Sequence, residues 1–323
     1  MSEADLHSME KVVAFIGEPD DIARRELRQI LNHAGIKQVS AHSNLLNLAT
    51  LMGQMSPDLI ILSDDLDPQV FEFIRNVRHN KIGNNPFVVI FTMSAPDHVE
   101  AVKRAMQAGT DDIIIKPAVE EQLLQRLKRV TMNRLAFIVT SDYVGPDRRG
   151  LSRSSNIRRI NVLNTLLEKV SGKDVNPETI RTAVDGCMNE VLQARLDSHS
   201  LRLGFVCNLV LEAYKANKIT PDLHEKMLVL VDVLKDAAKT AERLGDKELA
   251  LLCGSLSADV VLIAGRYTAL TAKDMDLLQK LSKAVVSAVK PSATPDKLEE
   301  ETRAAADTYQ QRQRAGFNLA QEI

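Results

Sequence analysis

The chain contains no tryptophan and only four tyrosines, and aromatic residues make up 4% of its 323 positions. That scarcity argues against base-stacking or sugar-stacking surfaces, which are built from aromatic faces. Its three cysteines, Cys187, Cys207 and Cys253, form no CxxC pair and no His/Cys cluster at metal-ligand spacing. Reduced, buried thiols are therefore expected, rather than a disulfide framework or a zinc site. Excess charge of either sign is also missing. A net charge of −2 argues against bulk attraction to nucleic acid or to an anionic membrane surface. The most apolar stretch, Leu249 to Ala264, is interrupted by Asp259 and is too short to span a bilayer. The opening residues MSEADLHSME hold no apolar run, so no secretory signal is expected and the reading is a cytoplasmic protein. Gly-rich nucleotide loops, HExxH and GxSxG are absent too, which gives no support to a catalytic output.

What is present changes character along the chain. Between Lys11 and Leu127, short apolar runs alternate with segments of helical period. The runs are Val12–Ile16, Val39–Ala41, Leu59–Leu62, Phe87–Phe91 and Ile113–Ile115. The intervening helices carry Ile22, Leu27, Ile30 and Leu31, then 45–52, then Val70, Phe73, Ile74 and Val77, then Val99, Val102 and Met106 up to Gly109. A last helix of this half starts near Val119 and Glu120. Strands apolar on both faces and alternating with helices predict a doubly wound, flavodoxin-like five-stranded parallel sheet. In such a sheet, functional residues collect at the carboxyl ends of the strands.

After Met132 one short strand is conceivable at 135–140, and the turn-rich, basic SDYVGPDRRGLSRSSN reads as a linker. Beyond Asn156 the expectation is an all-α helical bundle. It begins with a short helix at 157–170 and a start signal at Asn176-Pro177-Glu178. Apolar stripes then fall on Val184, Met188, Val191 and Leu192, on Leu223 through Leu234, on Leu249 through Ile263, and on Met275 through Val285. The expected organisation is a tail at 1–9, an α/β domain at 10–132, a linker at 133–156, a helical domain at 157–290 and a polar tail at 291–323.

Three strings in the first half carry a family resemblance: PDLIIL at 57–62, FVVIFTMSA at 87–95 and AGTDDIIIKP at 108–117. Over residues 10 to 130 the chain resembles the receiver domain of bacterial response regulators. The resemblance implies phosphoryl transfer from a histidine kinase or phosphotransfer protein to an aspartate ending the third strand, with Mg²⁺ held by two carboxylates after the first. A transferring phosphoryl group carries dispersed negative charge, so a cation, hydroxyls and a metal in fixed places do most of the catalysis. Ser94 fits the hydroxyl position and Lys116 the cation position. Pro117 follows Lys116 as a candidate cis-proline.

The acidic half departs from the pattern. Aligning Glu18-Pro19-Asp20 with the family's Glu-Pro-Asp leaves Ile16 and Gly17 where the metal-binding carboxylates belong. Glu18, Asp20 and Asp21 could substitute only if the loop shifts. The acceptor is Asp64 in one register and Ser63 in the other. Phosphorylation is therefore expected to be weakened or lost, with no cofactor, or Mg²⁺ only if the receiver is phosphorylatable. Asp65, Asp67, Asp111 and Asp112 read as ordinary solvated charges.

Two further features stand outside the receiver. Arg148, Arg149, Arg153, Arg158 and Arg159 make a basic cluster, either a dock for acidic or phosphate groups or a clamp onto the first domain. The HSLRLG string at 199–204 resembles a histidine phosphotransfer motif, with His199 as acceptor and Arg202 as its cation. Against that, His199 shares a helical face with Met188, Leu192, Val206 and Val210, which would bury it. The functional expectation is a non-enzymatic signalling adaptor, in which the receiver engages partners or a second copy through helices at 97–108 and 119–132 and the helical half is an interaction module, supplying the output or a dimer interface. The alternatives are a working phosphorelay regulator and, behind it, a nucleic-acid-binding regulator.

Overall fold

The computed structural model describes residues 9–148, 158–172 and 176–289. The chain divides into two compact units, Met1–Glu190 and Val191–Ile323. In the first, after a 3-10 turn at Met9–Lys11, five strands alternate with five helices. They are β1 (Val13–Gly17), α1 (Asp21–His33), β2 (Gln38–His42), α2 (Leu45–Met52), β3 (Leu59–Ser63), α3 (Val70–Arg78), β4 (Val89–Ser94), α4 (Val99–Ala108), β5 (Asp112–Ile115) and α5 (Glu120–Met132). All ladders are parallel, in the order β2-β1-β3-β4-β5. This is the doubly wound fold that the alternation predicts.

Residue alternation along the strands feeds two cores, one on each face of the sheet. Ala14, Ile16, Ile61, Phe91 and Ile114 pack on one side with Leu27, Leu31, Leu123 and Leu127. Phe15, Ile60, Leu62 and Ile90 pack on the other with Leu48, Phe73, Ile74 and Val77. Each fully buried side chain of this size contributes roughly 1.5–3 kcal/mol of transfer free energy.

Several local expectations are corrected. Ile22 is 61% exposed, because Asp20 caps α1 and leaves residue 22 in its first turn on the solvent side. The α4 stripe is rotated. Val99 and Met106 are exposed, and Ala105 and Ala108 face the sheet instead. Gly109 ends this helix. Its φ of +95° lies in the left-handed region, and a Cβ there would stand 2.5 Å from the carbonyl oxygen of Val144.

The segment expected as a linker is structured. β6 (Phe137–Val139) pairs antiparallel with β7 (Val144–Pro146) on one side and β8 (Arg159–Ile160) on the other. Its YVGP string is thus an inner part of the first unit. Gly145 lies so close to Gly109 that a Cβ would meet the Cα of Gly109 at 2.8 Å and the Tyr143 hydroxyl at 2.7 Å. The strand at 159–160 also corrects the expectation of helix alone beyond Asn156, and only α6 (Thr165–Val170) forms of the expected helix at 157–170. Residues 157–190 belong to the first unit rather than to the helical one.

The second unit contains the later part of α7 (Pro177–Lys215), with α8 (Pro221–Leu244), α9 (Lys247–Ala264) and α10 (Ala272–Val289). Pro177 opens α7 after Asn176, whose side chain accepts the N–H of Glu178 at 3.0 Å. The expected stripes form this core: Val206, Val210, Met227, Leu230, Leu234, Val260, Ile263, Leu278 and Leu281 are buried in one cluster. Cys207 and Cys253 sit within it, and burial pushes their thiols up to about 12 and about 11. Cys187 is only half-buried, against the expectation of three buried thiols. No helix among the described residues is long and apolar enough to cross a membrane.

Candidate functional site

Four strand ends meet at the carboxyl edge of the parallel sheet, and they assemble two adjoining clusters. The first surrounds Lys116, the residue after β5. Its Nζ donates to both carboxylate oxygens of Asp65, each at 3.0 Å. It also lies 3.3 Å from Oε2 of Glu18, an oxygen with no aligned hydrogen-bond donor. Ser63, the last residue of β3, donates from Oγ to Asp65 at 2.5 Å. Burial alone would lower the Lys116 ammonium, but the Asp65 hydrogen bond and the charges of Glu18 and Asp65 outweigh it and hold it above its ordinary value. Burial would likewise raise Asp65, yet its bonds from Ser63 and Lys116 bring it below the ordinary carboxylate value. The Lys116–Pro117 peptide bond is cis.

The second cluster surrounds Asp64, whose side chain is 4% exposed. Its backbone N–H is tied to the carbonyl of Met93, which seats the residue beside the end of β4. Ser94 donates from Oγ to Asp64 Oδ2 at 2.5 Å, and His98 Nδ1 lies 3.3 Å from the same oxygen. The hydroxyl at 94 and the carboxylate at 64 therefore meet, while the ammonium at 116 is held by Asp65 and Glu18. Ser63 ends β3, as its register opposite Met93 requires, and Asp64 opens the following loop.

The acidic loop divides its work. Glu18 is 1% exposed; its Oε1 accepts the N–H of Asp20 at 3.0 Å while its Oε2 faces Lys116. Asp20 is spent on helix capping, accepting the N–H groups of Ile22 and Ala23 at 3.0 and 2.8 Å. Asp21 pairs with Arg24. At the end of β1, Ile16 is fully buried. A Cβ at Gly17 would stand 2.6 Å from methyls of Leu48 and Leu66 and 2.9 Å from one of Leu62. Leucines fill the space into which a side chain at 17 would project.

Two sequence readings of carboxylates are corrected here. Asp65 is bound to Lys116 rather than free in solvent. Asp111 and Asp112 are buried, at 7% and 8% exposure, at the opposite, amino end of β5. Asp111 accepts from Arg78 at 2.7 Å, from Arg134 at 2.8 Å and from the N–H of Ile90 at 2.9 Å. Asp112 accepts from Arg126 at 2.7 Å and from Arg129. Burial pushes Arg78 down to about 10, with Asp111 opposing and Arg134 adding, so it remains cationic at neutral pH. Its remaining N–H groups go to the carbonyls of Gly109, Pro86 and Val88. None of these partners of Arg78 was legible in the sequence, because they are joined only by the fold.

Of the basic cluster, Arg148 donates to the carbonyl of Thr110, Arg159 to Asp147 at 2.9 Å and Arg158 to Glu190 at 2.8 Å. These three are clamps within the first unit. Arg149 and Arg153 lie outside the described residues. His199, read from the sequence as a phosphotransfer candidate against the expectation of burial, lies inside the helical unit. The residue is 2% exposed, and its Nε2 lies 2.9 Å from Asp236 Oδ2, which also accepts from Arg195 at 2.6 Å. An imidazole enclosed in this way offers no surface to a docking partner. Arg202, read as its cation, is half-buried on the same helix.

Comparison with known proteins agrees with the first half of the chain. The response regulator receiver domain model matches residues 14–128. Residues 14–128 form a response regulator receiver domain. A cyclic di-GMP phosphodiesterase of Thermotoga maritima is 26% identical over 140 residues, covering 41% of this chain and 34% of that protein. The chain thus spans about a third of the length of the curated relative it matches. A solved structure of an orphan response regulator of H. pylori aligns with a TM-score of 0.31 and 21% identity, over 36% of this chain and 94% of that one. Receiver domains are modules of two-component signalling, and this statement applies here to residues 14–128.

Proposed function

We propose that the chain is a non-enzymatic signalling adaptor, a receiver that acts by protein contact rather than by turning over phosphate. The observation that carries this reading is the occupation of Lys116. The ammonium that would receive phosphoryl oxygens is bonded to both oxygens of Asp65 and faces Glu18. A magnesium ion fits poorly here. Glu18 and Asp65 are committed to the ammonium, Ile16 offers no oxygen, and leucine methyls crowd residue 17. Mg²⁺ needs several oxygen ligands in near-octahedral array. Among the described residues no three His, Cys, Asp or Glu side chains are grouped to hold an ion. Asp65 supplies a permanent negative charge to Lys116, so the ammonium is engaged without phosphorylation.

Contacts would run through the α4 and α5 side of the receiver, where Val99 (60%), Val119 (47%) and Met132 (59%) are exposed, either to a signalling partner or to a second copy. The fixed arginines at 148, 158 and 159 leave little for a nucleic-acid surface. A second reading, phosphorylation on Asp64, draws on the 2.5 Å bond from Ser94. One experiment separates the two. The chain is incubated with acetyl phosphate and Mg²⁺ and run on a phosphate-affinity gel. No shifted band is expected. A shifted band abolished by Asp64→Asn would establish the phosphorelay reading instead.

A further inference from the structure

Among its described residues, the second unit leaves one helix face without a partner. Four large apolar side chains are strongly exposed among its described residues, and three of them, Leu251 (75%), Val261 (47%) and Leu262 (66%), lie on α9. Gly254, Ser255 and Ala258 complete the face, all exposed. Leu251, Ser255, Ala258 and Leu262 follow the spacing i, i+4, i+7, i+11, which is one straight stripe of an α-helix. Between Leu249 and Gly265 the only charge is Asp259, which is half-buried at the margin.

We infer that this face of α9 docks against the same face of a second copy of the chain, antiparallel about a two-fold axis between residues 256 and 257. The sequence of sizes along the stripe selects this occupant. Large groups stand at both ends and small ones in the middle, so a two-fold places Leu251 over Leu262 of the other copy and Ser255 over its Ala258. Small residues at the crossing point let two helix backbones approach closely, while the leucines interlock on either side. A Cβ added at Gly254 meets nothing within 4 Å, so the crossing point is open on this side. The arrangement brings no like charges together, and antiparallel helices oppose their dipoles favourably.

The area is consistent with a reversible contact. From the exposures above, the two faces together would bury roughly 1,000 Å², the size of a weak, transient interface. The inference rests on reading the helical half as an interaction module and is independent of the state of the phosphorylation site.

Sedimentation velocity of the full chain from 1 to 100 µM tests it. A monomer–dimer equilibrium is expected, shifted at least tenfold toward monomer by Leu251→Glu with an unchanged circular dichroism spectrum. Register is tested independently by oxidative cross-linking in a Cys187→Ser background. The pair Leu251→Cys with Leu262→Cys should give covalent dimer, and Leu251→Cys alone should not, because equal positions lie about 16 Å apart along the axis. A chain that stays monomeric at 100 µM overturns the inference. So does a dimer indifferent to Leu251→Glu but lost with Val119→Glu, which would assign self-association to the receiver. A monomer that dimerises only when residues 290–323 are removed would assign the face to the chain's own tail, and also overturns it. None of these results bears on the phosphate-affinity gel, so the two proposals fail separately.

Discussion

Replacing Asp111 by asparagine tests the most heavily loaded polar group of the receiver. Its carboxylate lies between two guanidinium groups, that of Arg78, 0% exposed, and that of Arg134, 7% exposed, and also accepts the N–H of Ile90. The amide keeps the volume and removes the charge, so two buried cations lose their neutralising partner. Removing one member of a buried ion pair costs about 3–5 kcal/mol, a large share of a total stability of about 5–15 kcal/mol. For a unit of this size that corresponds to a fall in Tm of about 6–20 °C. Asp112→Asn is the internal control. Its arginines are 33% and 60% exposed, so water can solvate them once the carboxylate is gone and the cost should be smaller than for Asp111. Calorimetry of the full chain, with hydrogen exchange of the β4 and β5 amides to assign the transition, measures both. The pH dependence follows from the direction of the shift. Burial opposes ionisation of Asp111, but Arg134 and Arg78 outweigh it and hold the carboxyl below its unfolded value of 3.8. Its stabilisation is therefore complete above that value and is lost as pH falls through the folded one. The gap between wild type and Asp111→Asn should narrow on acidification from pH 5 toward pH 2. Equal costs for the two variants, or a gap independent of pH, would refute the reasoning.

Other substitutions probe the remaining joints. Lys116→Met should destabilise the receiver by about 1–3 kcal/mol, by leaving the buried Glu18 carboxylate without its cation, and adding Glu18→Gln should recover most of the loss in urea melts. Gly17→Ala should cost about 1–3 kcal/mol through overpacking against Leu48, Leu62 and Leu66, and a neutral thermal shift would show that the leucines yield. Gly145→Ala should loosen β6–β8 from Gly109, read as faster proteolysis within residues 133–148 with the receiver core intact. In the second unit, burial would raise the Asp236 carboxyl, but His199 and Arg195 hold it well below the carboxylate range. Its contribution is present above that range and lost in acid, so Asp236→Asn should flatten the acid unfolding of the helical unit followed by circular dichroism.

The five-stranded parallel sheet and the helical second half were legible in the sequence, because periodicity of apolar residues is a local signal that burial on one or two faces enforces. A helix start was legible where the cap was strong, as at Asn176-Pro177, whose Asn176 side chain accepts the N–H of Glu178. Ser94 and Lys116 were singled out through the family resemblance of the strings at 87–95 and 108–117, and folding brings them to one sheet edge, on Asp64 and Asp65 respectively. Local pattern also had limits. The α4 stripe was misjudged because small Ala105 and Ala108, rather than the larger Val99 and Met106, are what the helix packs onto the sheet. YVGPDRR looked like a linker because turn residues mark a backbone bend whether the strands beside it pair or not.

What only tertiary structure decided is where the charges go. The sequence marks Asp64 through its register and leaves Asp65, Asp111 and Asp112 as equivalent acidic residues. Folding puts Asp64 beside Ser94, Asp65 on Lys116, and Asp111 between two buried arginines. The physical reason is range. Apolar periodicity repeats within a few residues, whereas an ion pair in a low-dielectric interior joins groups tens of positions apart, and only the closed sheet brings them within 3 Å.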